Sequence, residues 1–345
     1  MDFLRAIFED QLEIRRDKKG NAIIGDTVFT PVAILKADSA AYEYEYSNWH
    51  DEIWQPEQNE LLEQILNIRG NKKRFDDLCV ALKNGHVIPL VGSGMSVPSG
   101  LQTWSEFLRS IRWHSKMNVE DLEKLLANSE FEEAVEQVEQ TMSPRLFDEQ
   151  IEHSLRIDDP KSIYGAVRFL PELFDKLILT TNLDDLLEQL YRDREKSFSH
   201  VLGGNGVGEY RKVKALSERV LLKLHGDCRT RDGRVLSKTQ YEKAYGNGSL
   251  IREELTIIYK TKNLLFLGCS LGPDRTISLI AEVAKMDAYM PRHYAFLQQP
   301  NKEDLLLARE RFLTDRDIFP IWYTGDHDEC IQSLLVGMLH YIGKI

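Results

Sequence analysis

The chain has 345 residues, of which 42% are hydrophobic and 29% charged, a balance typical of a globular protein with a full core. Its net charge of -11 argues against direct nucleic-acid binding, which requires a basic footprint. No apolar run approaches the roughly 18 residues of a membrane span, and the N-terminus lacks the basic-then-apolar layout of a signal peptide, so we expect a cytoplasmic protein that does not enter the membrane.

Four cysteines are scattered through the chain and form no Cys-x-x-Cys pair. Wide spacing of this kind is typical of reduced thiols and predicts neither a zinc ribbon nor a disulfide framework. We therefore expect no bound metal. The cysteines are Cys79, Cys228, Cys269 and Cys330.

Residues 1–75 differ in pattern from the rest of the chain. Short strands are predicted at Val28-Phe29, at 32–35 and at 42–46, followed by a helix near 57–68. We interpret 1–75 as a small N-terminal extension. It either serves packing alone or forms an oligomer or partner surface, because tryptophan and tyrosine are favoured at interfaces.

From residue 76 onward, apolar strand-like runs alternate with helical patterns. Buried strands that alternate with helices predict a parallel sheet with helices on both faces. We therefore predict an α/β, Rossmann-like domain over 76–345. Its predicted strands are 87–91, 176–181, 220–224, 263–268, 293–297 and 318–323, and its predicted helices are 75–84, 184–194, 250–261, 274–287, 302–313 and 327–342.

The stretch from about 103 to 170 contains helical patterns and few strand signals. Leu122, Leu125 and Leu126 begin a series at the i, i+3, i+4 spacing of an amphipathic helix. We predict an all-helical insertion here, with the position of a lid.

A glycine-rich turn follows the first predicted strand of the domain. Gly92, Ser93 and Gly94 would let a backbone approach a pyrophosphate closely, although a tight strand-to-helix turn explains the same residues. The dehydrogenase fingerprint requires a further glycine where this chain has Val97, and an acidic residue at the end of a second strand about 20 residues later. The turn therefore fits a dinucleotide but not a standard hydride-transfer enzyme.

Polar residues also follow the next two predicted strands. Asn182 and Asp184 come after 176–181, where they either cap the following helix or hold a water, a ribose hydroxyl or an amide. His225 ends strand 220–224, Gly226 after it suggests a close backbone approach, and Asp227 is placed to orient the ring. A histidine is the natural general base near neutral pH.

A fourth strand end carries Gly268 and Ser270, which either line an adenine-ribose pocket or form a turn into helix 274–287. Ligands of open parallel sheets bind at the carboxyl ends of the strands. We therefore expect all four strand ends to meet in one crevice, although more than 100 residues separate the first from the last.

These segments resemble the sirtuin-like superfamily of NAD-consuming domains. The matching motifs occur in the family's order and cover about 90–275 of the chain. They are Gly-Ser-Gly-Met-Ser-Val-Pro-Ser-Gly (92–100), Thr-Asn-Leu-Asp (181–184), Lys-Leu-His-Gly (223–226) and Gly-Cys-Ser-Leu (268–271).

Departures from the deacylase pattern narrow this resemblance. The four-cysteine zinc module that follows the catalytic histidine in sirtuin deacylases is missing, since 226–262 contains only Cys228. Trp104 follows the glycine turn where deacylases usually place a phenylalanine, and Thr180-Thr181 replaces their Thr-Gln. The chain is thus similar to the zinc-free, sirtuin-like branch of bacterial anti-phage defence, whose members hydrolyse NAD.

This resemblance implies NAD as substrate, no metal, a homo-oligomer and a hexameric DNA-translocase-type ATPase as partner in abortive infection. On this hypothesis Asn182 positions water or ribose, His225 takes a proton, and the amides of the 92–94 turn hold the pyrophosphate. Asp184 binds the nicotinamide carboxamide, Ser270 contacts the adenosine ribose, and Trp104 either covers the nicotinamide or belongs to the core. The complete predicted binding set is Gly92, Ser93, Gly94, Ser96, Thr181, Asp184, Gly226, Gly268 and Ser270.

Three other functions remain open from the sequence. The same site could serve an NAD-dependent protein deacylase or ADP-ribosyltransferase, although the missing zinc module normally helps to form the peptide groove. A non-catalytic NAD-sensing subunit would bind the dinucleotide without turnover. A dehydrogenase is disfavoured by the absent third glycine.

Overall fold

The computed structural model describes residues 2–14, 22–24, 27–157, 162–216, 218–272, 275–286 and 290–345. The chain divides into two compact units, 1–64 and 65–345. Within the described ranges, no helix is long and apolar enough to cross a bilayer.

The N-terminal unit is mainly helical. The predicted strand at Val28-Phe29 is present, but the strands predicted at 32–35 and 42–46 are wrong, because both stretches are helical. Thr30 and Asp38 cap these two helices by accepting hydrogen bonds from backbone amides of the first turn. The elements are α1 Asp2–Ile14, β1 Ala22–Ile24, β2 Thr27–Phe29, α2 Pro31–Lys36, α3 Ser39–Asn48, a π-helical turn Trp49–Trp54 and the start of α4 Gln55–Leu66.

An aromatic cluster explains why 42–46 is helical despite its β-favouring tyrosines. The rings of Tyr42, Tyr46 and Trp49 lie 5.7, 5.7 and 5.3 Å from that of Phe8. Their spacing of four and three residues places them on one helix face, which a period-2 strand could not do. Tertiary packing has therefore overridden local propensity.

The larger unit is built on a seven-stranded, all-parallel sheet in the order β5-β6-β4-β3-β7-β8-β9. Strands β3 and β6 are buried at every residue, as expected for a sheet covered on both faces. This confirms the predicted α/β, Rossmann-like class. The strands are β3 Val87–Val91, β4 Leu177–Thr180, β5 His200–Gly203, β6 Val220–Lys223, β7 Asn263–Leu267, β8 His293–Gln298 and β9 Ile318–Tyr323.

Strand β5 is the one strand of this sheet that the sequence did not predict. Its four residues are partly or fully exposed at the sheet edge, and they lack the apolar run of the central strands. The helices of this unit are α5 Asn71–Lys83, α6 Trp104–Ile111, α7 Val119–Ala127, α8 Phe131–Thr141, α9 Pro144–Leu155, α10 Leu170–Leu173, α11 Leu186–Asp193, α12 Tyr210–Val213, α13 Lys238–Ala244, α14 Leu250–Thr261, α15 Arg275–Met286, α16 Glu303–Thr314 and α17 His327–Tyr341.

Helices α6 to α9 form a small core of their own, and we call them the helical segment. Phe107, Val135 and Ile151 are completely buried in it. The same cluster includes Leu183 and Leu236, which lie on loops that follow β4 and β6. The segment therefore packs on the carboxyl side of the sheet, in the region where the sequence predicts an insertion.

The direction in which the chain adds strands to the sheet reverses at β3. The chain passes from β3 to β4 on one side, and it later returns to β7 on the other side. A crevice opens at such a switch point, outside the carboxyl ends of the strands, and ligands bind there in parallel α/β folds. The loops after β3, β4, β6 and β7 converge on this crevice.

Candidate active site

A cleft of about 1500 Å³ occupies the switch point. All four strand ends singled out in the sequence contribute to its lining, as does the helical segment through Trp104. The predicted site residues found in the lining are Gly92, Ser93, Gly94, Thr181, Asn182, Asp184, His225, Gly268 and Ser270.

The glycine turn packs directly against the loop after β7. A β-carbon added at Gly92 would lie 2.5 Å from the carbonyl oxygen of Gly268, and one added at Gly268 would lie 2.5 Å from the Met95 amide nitrogen. Gly268 also has φ +64°, which favours glycine. Both positions therefore require glycine for the two loops to meet.

The predicted three-amide pyrophosphate cradle needs correction. The amide of Gly92 donates to Leu267 O at 2.8 Å, and that of Gly94 donates to Gly268 O at 3.0 Å. These bonds join the two loops, so only the amide of Ser93 is left from the predicted trio. The two glycines shape the cleft floor instead of supplying donors.

Asn182 is held by a buried hydrogen-bond network. Its Nδ2 donates to Ser96 Oγ at 3.1 Å, and Ser96 Oγ donates to Asp184 Oδ2 at 2.9 Å. The second carboxylate oxygen of Asp184 accepts from the Leu186 amide at 3.2 Å, in the turn that leads into α11. The N-cap of α11 is Asp185, so the cap predicted at Asn182 or Asp184 is wrong.

The hydrogen-bond network leaves the side-chain oxygen of Asn182, Oδ1, available to a ligand. Its Oδ1 accepts no hydrogen bond from any residue that the structure describes, and the side chain lines the cleft. Ser96 is 1% exposed and lies behind the lining, so it orients Asn182 and does not face the cleft. Burial raises the pKa of Asp184, an effect that Lys223 and Ser96 oppose.

The Nε2 atom of His225 is hydrogen-bonded to a tyrosine. The hydroxyl of Tyr241 lies 2.5 Å from Nε2, and the rings of the two residues meet edge to face at 5.2 Å. A tyrosine hydroxyl is the natural donor to a neutral imidazole, so we assign Nε2 as the acceptor, which places the proton of neutral His225 on Nδ1. The Thr181 backbone favours the protonated ring and raises the pKa of His225, but its effect is smaller than that of burial.

Burial dominates the acid–base behaviour of His225 and lowers its pKa to about 4. The imidazole is consequently neutral at physiological pH. Tyr241 was missed by the sequence reasoning, because it lies 16 residues beyond the histidine on α13 and no local motif marks it.

Asp227 does not orient the His225 ring, contrary to the prediction. Its Oδ2 accepts from Lys223 at 2.6 Å, and its Oδ1 accepts from the Arg229 amide at 2.7 Å. Burial alone would raise the pKa of Asp227, but Lys223 lowers it below the ordinary value.

Lys223 connects β6 to the loop that carries Asp184. It is completely buried, and its ammonium also binds Glu188 at 2.7 Å and the carbonyls of Leu183 and Asp184 at 3.2 and 2.7 Å. A lysine inside the apolar run Val-Leu-Leu-Lys-Leu-His was the available signal, because lysines are almost never fully buried without partners.

Gly226 has a structural role and does not line the cleft. It has φ +97°, and a β-carbon there would lie 2.9 Å from Arg234 Cα. Arg234 donates to the carbonyls of Asp227 and Cys228, which fixes the loop after β6. Cys228 is buried in the core of the helical segment, and burial raises the pKa of its thiol to about 12.

The opposite side of the cleft is more open. The Ser270 side chain is exposed, and the Arg309 guanidinium donates to the carbonyls of Ser270 and Leu271. Tyr323, at the end of β9, hydrogen-bonds His327 Nδ1, while His327 Nε2 is buried and has no hydrogen-bond partner among the described residues. The sequence reasoning missed Arg309, Tyr323 and His327, although Tyr323 and His327 follow the general rule that strand ends carry site residues.

Two walls can therefore be distinguished. We call Asn182, Asp184 and His225 the β4–β6 wall, and Ser270, Arg309 and His327 the β7–β9 wall. Trp104 lies beside them as a half-buried ring stacked on Phe107 at 5.1 Å. Within the described ranges, no group of three or more His, Cys, Asp or Glu side chains is arranged to hold a metal ion.

A seven-stranded parallel sheet with a cleft at its switch point defines a Rossmann-like α/β domain, a fold in which this position is the usual ligand site. Residues 176–321 match the family model of the SIR2-like domain. This match supports the resemblance of the chain to the sirtuin-like superfamily.

One curated relative is the NAD(+) hydrolase ThsA of Acinetobacter baumannii (strain 532279). It is 22% identical over 234 residues, which cover 68% of this chain and 46% of that protein. The chain thus spans about half the length of the relative that it matches.

Proposed function

We propose that this protein hydrolyses NAD⁺ at the nicotinamide–ribose bond and releases nicotinamide and ADP-ribose. The observation that carries the proposal is the meeting of Asn182 and His225 in one cleft with the glycine loops at 92–94 and 268. The name of the relative, NAD(+) hydrolase, supports the same reaction.

The bond to be broken is an N-glycosidic link, and its cleavage passes through an oxocarbenium-like state. The nicotinamide of NAD⁺ leaves as a neutral molecule and takes the bonding electrons with it, so little acid assistance is needed. Water then forms the new bond to the ribose C1′ and loses a proton.

Asn182 is suited to place the nucleophile. Because its Nδ2 is held by Ser96, its Oδ1 is fixed as an acceptor for the attacking water or for a ribose hydroxyl. A positioned acceptor lowers the entropic cost of bringing water to the anomeric carbon. Asp184 keeps this arrangement in place and borders the space proposed for the nicotinamide carboxamide.

His225 is suited to take the proton from the water or from a ribose hydroxyl. It is neutral above pH values near 4, so Nε2 is an acceptor at physiological pH. The amide of Ser93 and the open β7–β9 wall would bind the diphosphate and the adenosine half of the substrate.

The test is product analysis with NAD⁺ on the purified chain and on two variants, Asn182→Ala and His225→Ala. We expect nicotinamide and ADP-ribose from the wild type, and losses of about 10²–10⁴-fold in turnover for each variant. Matched controls are Asn84→Ala and His86→Ala, which alter exposed residues just before β3, at the opposite edge of the sheet. Wild-type turnover in both site variants would falsify the assignment of roles.

The same assay separates the rival activities. Release of nicotinamide only in the presence of an acyl-lysine peptide or a protein acceptor would indicate a deacylase or an ADP-ribosyltransferase. Tight NAD⁺ binding without nicotinamide release, with and without a partner protein, would indicate a sensing subunit.

The proposal extends to bacterial anti-phage defence by NAD⁺ depletion in the cytoplasm, with the chain in a homo-oligomer and with an ATPase of the DNA-translocase type as partner. In infected cells, NAD⁺ should fall when the wild-type chain is present and remain stable with His225→Ala. Size-exclusion chromatography with light scattering tests the oligomer, and co-purification from cells that express the neighbouring genes tests the partner.

A further inference from the structure

The hydrogen bond between Tyr241 and His225 bears on the regulation of the proposed reaction. For His225 to accept a proton from water or ribose, Nε2 must be open to the substrate. In the structure this nitrogen is covered by the Tyr241 hydroxyl at 2.5 Å. The lone pair of Nε2 is thus occupied for as long as this hydrogen bond is made.

Tyr241 itself is held in place by packing. Its ring is buried and stacks on Tyr245 with a centroid distance of 5.5 Å and an interplanar angle of 23°. Both tyrosines belong to the core cluster beneath the sheet loops. The hydroxyl can therefore leave His225 only if its side chain rotates or if α13 shifts.

The first turn of α13 is bound to the helical segment. Thr239 donates through its amide and its hydroxyl to the two carboxylate oxygens of Glu136 on α8, at 3.0 and 2.9 Å. Lys238 lies 3.4 Å from Glu133, one turn earlier on α8, and both of these side chains line the cleft. The tether between α8 and α13 therefore lies at the cleft wall, two residues from Tyr241.

We propose that Tyr241 is a positioning residue that holds His225 in a resting state, and that the α8–α13 tether sets this state according to the position of the helical segment. The inference rests on the proposed function of His225. A displacement of α8 would carry α13 with it, withdraw the Tyr241 hydroxyl and open Nε2 to the substrate. A bound dinucleotide or a contact on the helical segment could supply this displacement.

The hydrogen bond from Tyr241 should also affect the pKa of His225 in a definite direction. Burial lowers the pKa of His225 to about 4, and a hydrogen bond donated to Nε2 favours the neutral imidazole in the same direction. The charged groups nearest in sequence, Lys223 and Asp227, are paired with each other. Removing the Tyr241 hydroxyl should therefore raise the pKa of His225 above about 4, while burial still holds it below the ordinary value.

The decisive variant is Tyr241→Phe, which removes the hydroxyl and keeps the ring. We expect NAD⁺ turnover to rise by about 2–10-fold at pH 7, the equivalent of one net hydrogen bond. The acid limb of the pH–rate profile should move upward from about pH 4. Tyr245→Phe is the matched control, because it removes a hydroxyl from the neighbouring ring that does not bond His225.

A second variant tests the tether. Glu136→Gln keeps the shape of the side chain but weakens the bonds to Thr239, so it should change turnover in the same direction as Tyr241→Phe and by less. Glu120→Gln, an exposed residue of α7 outside the cleft lining, is its control.

Nitrogen NMR of the His225 ring gives a readout that does not require turnover. The wild-type spectrum should show the proton on Nδ1 and a hydrogen-bonded Nε2, and Tyr241→Phe should shift the Nε2 resonance alone.

If neither protein releases nicotinamide, the proposed function fails while the NMR result still decides the state of His225. Loss of turnover in Tyr241→Phe with unchanged NAD⁺ affinity would overturn the inference, since the hydroxyl would then serve the reaction. An unchanged Nε2 resonance would overturn it as well.

Discussion

The two walls of the cleft differ in how firmly their side chains are held. On the β4–β6 wall, Asn182 and Asp184 are 7% and 6% exposed and share one hydrogen-bond network. On the β7–β9 wall, Ser270 is exposed, and no residue that the structure describes hydrogen-bonds Nε2 of His327. Preorganised groups stabilise a transition state, whereas adaptable groups bind the parts of a substrate that do not react.

This difference leads to an expectation about kinetics. Changes on the β4–β6 wall should lower kcat, because they disturb groups aimed at the reacting bond. Changes on the β7–β9 wall should raise KM, because they remove binding that is equal in the ground and transition states. Three substitutions test this division, beginning with the largest expected effect.

Lys223→Met should have the largest effect because it removes the cation that supports the whole β4–β6 wall. The substitution leaves Glu188 and Asp227 without their buried partner, which should lower the free energy of unfolding by about 3–5 kcal/mol. Denaturant unfolding measures the loss, and activity should fall with it. The control Lys72→Met breaks an exposed i, i+4 pair with Asp76 and should cost about 0–1 kcal/mol.

A second consequence of Lys223→Met concerns pH. Burial raises the pKa of Glu188 to about 7 even beside Lys223, so the folded state retains a proton that the unfolded state releases near pH 4.5. Stability should therefore fall as the pH rises from about 4.5 to 7, and more steeply without the lysine. An equal pH slope in both proteins would show that Lys223 does not stabilise the ionised carboxylate.

Ser96→Ala should have an intermediate effect and act on catalysis alone. The hydroxyl joins Asn182 to Asp184, and its loss frees the amide that holds Oδ1 in place. A hydrogen bond to a charged group contributes about 1.5–3 kcal/mol, so kcat should fall by about 10–100-fold with little change in KM.

A double-mutant cycle sharpens the Ser96 prediction. If Ser96 and Asp184 act as one unit, then Ser96→Ala combined with Asp184→Asn should cost much less than the sum of the two single changes. Additive losses would mean that Asp184 acts on the substrate independently of Ser96.

The residues of the β4–β6 wall could be picked out from the sequence because each polar residue directly follows the apolar run of its own strand. Apolar runs that end in Asn182, Asp184 and His225 identify buried strands with polar ends, and the carboxyl edge of a parallel sheet brings such ends together. The convergence of these loops follows from topology, so it needed no knowledge of side-chain contacts.

Contacts between residues that lie far apart in the sequence could not be predicted in this way. Tyr241 reaches His225 from a separate helix, and the two glycine amides are consumed by the β7 loop, which is more than 170 residues away in sequence. Residues 42–46, which lie in α3, were predicted as a strand because tyrosine favours strands, whereas packing of Tyr42 and Tyr46 against Phe8 makes them helical. In each case a tertiary partner decided the outcome.

Arg309→Met should have the smallest effect and act on binding. The guanidinium donates to the carbonyls of Ser270 and Leu271, and Leu271 has a left-handed φ of +49° that is costly for a branched residue. Without these donors the loop after β7 should relax, which we expect to raise the KM for NAD⁺ by about 3–10-fold and to leave kcat within about two-fold.

The matched control for this change is Arg311→Met on the same helix, α16. Arg311 is exposed and faces Asp315 at 3.9 Å, away from the cleft lining, so its loss should leave both kinetic constants unchanged. A fall in kcat for Arg309→Met without a rise in KM would contradict the division between the walls, because an arginine on the open wall would then be acting on the reacting bond. An unchanged KM together with an unchanged kcat would instead place the substrate away from the loop at 270–271.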